Sequence, residues 1–176
     1  MPKTMAAVIH EKGEPDVFRW EEIELGAPGP GEVCLKINAV GVNFVDTYHR
    51  RGTPHPWPVP PLPLVLGFEG AAEVQETGPG VKEFKPGDRF AYAMPPHGAY
   101  SKERNYPADM LCLIPDGIDD ATIASSMLKE LTAQYLLRRT YRVQLGDFVL
   151  IHAAAGGMGH FYVLGQNISA PRSLAR

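Results

Sequence analysis

A chain of 176 residues, 44% of them hydrophobic, can bury one sizeable core and part of a second, which excludes a disordered segment. Its 17 basic and 20 acidic residues give a formal charge of -3 with no basic run, so a small neutral or anionic ligand is expected and neither nucleic acid nor an anionic membrane is. Cys34 and Cys112 lie far apart, only a short apolar run follows Lys3, and no stretch reaches bilayer length, so the expectation is a cytoplasmic protein with reduced thiols.

In the first two thirds, glycines and prolines punctuate short apolar runs at the spacing of a β-rich barrel or sandwich. Residues 5–9 read as a strand. Val33, Leu35, Ile37 and Ala39 alternate with Cys34, Lys36 and Asn38, which predicts a half-buried strand. Residues 43–50 predict a short helix, with Asn43 suited to cap it. The proline-rich "TPHPWPVPPLP", residues 53–63, reads as an ordered surface loop in preference to a polyproline ligand. Phe68, Gly70, Ala72 and Val74 again alternate with polar residues, Glu69 among them. Further strands are predicted at 87–92 and 111–114, with turns at Gly78-Pro79-Gly80 and Pro86-Gly87-Asp88.

The period changes after Asp119. Ala124, Leu128, Leu131 and Tyr135 fall on one helical stripe, capped by Asp119 or Asp120 and running to about Arg139. Phe148 to Ile151 is an unbroken apolar run of the kind buried on both faces of a parallel sheet. The following "HAAAGGMG", residues 152–159, is a strand-to-helix turn of small residues, in which backbone amides can approach a pyrophosphate. G-x-G-x-x-G is not matched literally, and a tight turn packed on a neighbour is the alternative. After Gly159, Gly165 and Pro171 discourage a long helix and no second strand pattern stands out.

Several segments in fixed order carry a family resemblance: "AVGVNFVDTYHRRG" (39–52), "LVLGFEGAAEVQETGPGV" (64–81), "PGDRFAY" (86–92), "GAYSKERN" (98–105), "LTAQYLLRRTY" (131–141) and "VLIHAAAGGMG" (149–159). Together they resemble the quinone oxidoreductase (zeta-crystallin-like) branch of the medium-chain dehydrogenase/reductase superfamily. The match covers roughly residues 5–160, about half a family member. It implies a mostly β GroES-like domain, a partly open barrel with short helices, over 1–120. Residues 121–160 would be the linking helix, first strand and Gly-rich turn of an incomplete α/β Rossmann domain, and 161–176 an atypical tail.

The resemblance further implies an NADPH-dependent oxidoreductase that passes hydride to a quinone or enone, active as a homodimer. Zinc enzymes of the superfamily place cysteine and histidine where this chain has Asn43-Phe44-Val45-Asp46 and Gly67-Phe68-Glu69-Gly70, so chemistry without a metal is expected. His10, His49, His55 and His97 lack ligand spacing and read as surface or loop residues. By the same resemblance Asn43 and Tyr48 would face nicotinamide and substrate, Thr132 and Lys129 the cofactor, and Gly156, Gly157, Met158 and Gly159 its pyrophosphate. Tyr48 is the candidate for orienting the acceptor oxygen or relaying a proton, with a packing aromatic as the equal alternative. Asp46 reads as structural and Glu69 as an ion-pair partner. Another class of function stays open, a non-catalytic fragment or isoform whose β-rich domain only mediates association; RNA binding finds no basic stripe.

Overall fold

The structure, a computed structural model, describes residues 2–54, 59–144, 146–167 and 172–175. Residues 55–58 of the proline-rich stretch, with His55, and 168–171 of the tail lie outside the described residues. The chain divides into two compact units, Met1–Ser125 and Ser126–Arg176.

In the first unit the strands are β1 (Lys3–Ile9), β2 (Phe18–Glu24), β3 (Glu32–Val40), β4 (Leu64–Val65), β5 (Gly70–Thr77), β6 (Arg89–Tyr92), β7 (Glu103–Pro107) and β8 (Cys112–Leu113), with helix α1 (Phe44–Arg51) after β3. They form two sheets with antiparallel pairing, ordered β2-β1-β4 and β7-β3-β5-β6-β8. The expected alternation is present where it was clearest. Val33 and Leu35 of β3, Ala72 and Val74 of β5, and Phe90 and Tyr92 of β6 pack into one core with Ala99, Tyr106 and Ala108. At about 25 cal/mol per Å² of apolar surface removed from water, such side chains are the main stabilising contribution to this unit. Register shifts near Cys34/Leu35 and Ile37/Ala39 bend β3 against β5.

Helix α1 begins where Asn43 stands in extended conformation, and its N–H donates to the Asp46 carboxylate at 2.9 Å. Arg50 and Arg51 occupy its last turn, where positive charge suits the helix dipole.

Helix α2 (Asp120–Tyr135) starts as expected, the Thr122 N–H donating to the Asp119 side chain at 2.8 Å. Its buried residues are Ala124, Ser126, Met127 and Ala133, however, while Leu131 and Tyr135 of the predicted stripe are 47% and 49% exposed. Both faces carry apolar residues, so periodicity did not choose between them; three of the four buried side chains, Ala124, Ser126 and Ala133, are small. Past Tyr135 the backbone takes a π-helical turn over Leu136–Thr140, so the helical path reaches Thr140 with altered hydrogen bonding.

Strand β9 (Phe148–Ile151) enters the Gly-rich turn, and α3 (Gly157–Asn167) leaves it. Helix α3 stays short at 11 residues and includes Gly165, where a Cβ would come within 2.9 Å of Leu137, so the glycine lets the helix lie close over that side chain. One expectation for the tail is corrected: a second strand exists. Residues Arg172–Ala175 form β10, parallel to β9 from Arg172 opposite Phe148 to Ala175 opposite Ile151. Four residues next to a proline carry too little pattern to reveal it; the ladder makes the strand. Burial of Phe148–Ile151 on both faces is likewise corrected, since Phe148 is 74% and Leu150 59% exposed. Among the described residues no helix is long and apolar enough to cross a membrane.

Candidate functional site

In the first unit, candidate residues gather at the start of α1. Glu69, the residue before β5, is wholly buried, and its carboxylate accepts a hydrogen bond from Asn43 Nδ2 at 2.6 Å. Residue 41 must be glycine for this arrangement, because a Cβ there would collide with the Glu69 carboxylate and the Ala124 carbonyl. Asp46, also buried, accepts from the Tyr100 hydroxyl at 2.7 Å in addition to the Asn43 N–H. Burial, then the Asp46 charge, pushes the Tyr100 phenol far up, so Tyr100 is a fixed donor. Asp46 is therefore structural, joining the cap of α1 to the loop before β7.

Phe18, Asn43, Asp46, Thr47, Arg50 and Tyr100 line a cleft of about 300 Å³. Tyr48 is not among its lining residues. It is half-buried and meets Phe44 edge-on, ring centres 5.4 Å apart, while Phe44 is 75% exposed. Tyr48 and Phe44 thus form an aromatic pair along α1.

Behind α1 lies a cluster that the sequence did not announce. His49 is buried, not at the surface, and its Nδ1 lies 2.8 Å from His97 Nε2 in a hydrogen bond. Phe68 packs edge-on against His97. The Arg104 guanidinium donates to the carbonyls of Pro96 and His97 at 2.8 and 2.9 Å and lies over the rings of Tyr92 and Tyr106. Burial, His49 and Arg104 together hold the His97 imidazole down at about 4. Burial pushes the Tyr106 phenol up to about 12. Among the described residues no group of three or more His, Cys, Asp or Glu side chains could hold a metal ion.

In the second unit the Gly-rich turn has the predicted strand-turn-helix form. Ala153 takes a left-handed φ of 53°, and the Gly156 N–H closes the turn on the Ala153 carbonyl at 2.8 Å. Gly159 lies against the backbone of Ala153 and Ala154, where any Cβ would collide. Small residues thus let the turn pack closely on its own backbone. Met158 follows Gly157 in the first turn of α3 and is partly buried. From α2, the Lys129 stem crosses Gly157, its Cδ 3.0 Å from where a Cβ would stand. Thr132, one turn on, donates its hydroxyl to the Leu128 carbonyl at 2.7 Å. The structure brings Lys129 to the glycine turn.

Sequence reasoning flagged Asn43 and Glu69 separately and missed their bond, because the partners are 26 residues apart. Its one signal was a carboxylate set in an apolar alternation, a position that demands a partner. The Tyr100–Asp46 and His97–His49 contacts, 54 and 48 residues apart, gave no local signal.

Residues 29–126 match the alcohol dehydrogenase GroES-like domain family. A 2-haloacrylate reductase of Burkholderia sp is 58% identical over 161 residues, covering 90% of this chain and 48% of that protein. Quinone oxidoreductase 1 of Escherichia coli (strain K12) is 43% identical over 151 residues, covering 86% of this chain and 45% of its own. The crystal structure of Escherichia coli quinone oxidoreductase complexed with NADPH superposes with a TM-score of 0.90 at 37% identity, covering 99% of this chain and 52% of that one. The chain therefore spans about half the length of the curated relatives it matches.

Proposed function

Because the chain belongs to the alcohol dehydrogenase GroES-like domain family, in the quinone oxidoreductase branch of the medium-chain dehydrogenase/reductase superfamily, we propose that the whole protein is an NADPH-dependent reductase of quinones or conjugated carbonyl compounds that works without a metal. The observation that carries this reading is the turn from β9 into α3, whose small residues leave backbone amides open to a pyrophosphate at a helix N-terminus. When bound, the cofactor supplies hydride from its nicotinamide ring.

This chain's residues bind and orient. Gly157, Met158 and Gly159 offer backbone amides to the pyrophosphate, Gly156, its own N–H committed to Ala153, leaves room for it, and Lys129, packed over Gly157, brings a positive charge beside it. The only proton of the Thr132 hydroxyl is committed to Leu128, so Thr132 meets the cofactor as an acceptor. Asn43 presents its amide to the nicotinamide side. Tyr48 orients the acceptor oxygen, or passes it a proton through water, from a position backed by Phe44.

Two relatives narrow the acceptor. A quinone and a 2-haloacrylate both conjugate a carbon–carbon double bond with a carbonyl, so hydride at the electron-poor carbon leaves charge on oxygen, to be relieved by a proton. A flat conjugated carbonyl is therefore the substrate class, and holding two planar partners together is the main task of the site. Direct support would be saturable NADPH binding by the full gene product in a fluorescence titration, with NADPH oxidation on adding 1,4-benzoquinone or an enone that persists in a chelator. Failure to bind NADPH, or abolition of turnover by the chelator, overturns the proposal.

A further inference from the structure

We infer that Glu69 is a positioning residue: its buried carboxylate fixes which way the Asn43 amide faces, and through it the placement of the reduced nicotinamide. The inference rests on the reading above that Asn43 faces the cofactor. An asparagine amide has two orientations of nearly the same shape, and its surroundings choose between them. Asn43 Nδ2 donates to Glu69 Oε2 at 2.6 Å while its oxygen serves the capping box, so the flipped amide would set oxygen against oxygen and nitrogen against N–H in a buried site.

The carboxylate is itself held. Glu69 is 0% exposed, its side chain lies flat against Gly41, where a Cβ would collide with it, and the Gly41 N–H donates to the Glu69 main-chain carbonyl at 3.0 Å. On the other side the Asn43 backbone is pinned by the Asp46 carboxylate, which the Tyr100 hydroxyl holds in turn. Main chain and side chain of Asn43 are thus fixed by two different buried carboxylates. The cap uses the Asp46 carboxylate and the Asn43 side chain, which accepts from the Asp46 N–H. The Glu69 bond takes the other end of the amide, its NH₂, and so locks the orientation, which matters where a ligand reads donor from acceptor.

The test compares two probes on the full gene product, NADPH and 2′,5′-ADP, which lacks the nicotinamide. Glu69→Gln, whose side chain can donate as well as accept, is expected to raise the NADPH dissociation constant and KM about tenfold or more, the scale of a hydrogen bond to a charged group. Affinity for 2′,5′-ADP should stay within about twofold, which general structural damage would not allow. Asn43→Ala should show the same selective loss, and the double variant should be no worse than Asn43→Ala alone. Should Glu69→Gln fail to fold, Glu69→Asp, which keeps the charge and moves it back, must show the same split between the probes. If Asn43→Ala leaves NADPH binding unchanged, Asn43 does not face the cofactor, and the inference falls with that reading. If Asn43→Ala weakens NADPH selectively but the Glu69 variants do not, or if they weaken both probes alike, the positioning role alone is overturned.

Discussion

Gly156 and Gly159 stand three residues apart in one turn and answer to different demands. A Cβ at 159 would collide with the backbone of Ala153 and Ala154, which cannot swing aside as a side chain does. At 156 the nearest atom is the Ala153 carbonyl oxygen at 3.1 Å, so a methyl needs only a slight adjustment, but on the proposed function it would stand in the path of the pyrophosphate. Gly159→Ala is therefore predicted to lower stability by about 1–3 kcal/mol in urea denaturation. Gly156→Ala should leave the midpoint near wild type and weaken NADPH binding; equal stability losses in both would remove the distinction. At this scale the sequence was legible where one residue type does one local thing. Asn43 as a cap and the small residues at 153–159 needed only their immediate neighbours to be read. Glu69 was read only as needing a partner, and which partner was a question of tertiary distance.

Helix α1 and the loop before β7 meet through His49 and His97, and this contact makes the first unit sensitive to acid. Burial, His49 and Arg104 hold His97 at about 4 against an ordinary 6.5. Below pH 6.5 the unfolded chain takes up a proton at this residue that the folded chain refuses, so stability falls as pH drops toward 4 and this contribution levels off below. The urea midpoint is expected to decline over that window and to decline less in His97→Gln; parallel profiles would clear His97 of the effect. Among elements, those with a clear period of two, β3 and β5, were legible, and so was α1 from its cap. Strands β2 and β7 were not. The first is a charged edge strand, paired by Lys3 with Glu22 across β1 and β2, and the second buries Arg104 where an apolar residue would mark the pattern. Backbone pairing, not alternation, makes both of them strands, and β10 is the same case.

On the scale of the molecule, the change of period after Asp119 announced a second architecture, and the run 148–151 announced a strand meant for a covered sheet. The uncovered state of that strand was not legible, because hydrophobic residues report what they need and not what surrounds them. In the second unit Phe148, Leu150 and Tyr141 are 74%, 59% and 62% exposed, and among the described residues β9 has a strand neighbour only in β10. Large apolar side chains beside an open strand edge favour association with another surface. The 176-residue chain alone is therefore predicted to bind an apolar dye such as anilinonaphthalene sulfonate and to elute larger than a monomer as concentration rises. Phe148→Lys and Leu150→Lys should restore monomeric elution while shifting stability by no more than about 0.5 kcal/mol, the usual cost of an exposed substitution. The pairing matters: if lysine at 148 or 150 lowers the urea midpoint sharply, those side chains are buried in the folded chain and the exposed face does not exist. If instead the wild-type chain stays monomeric and dye-free at high concentration, the face exists but does not drive association.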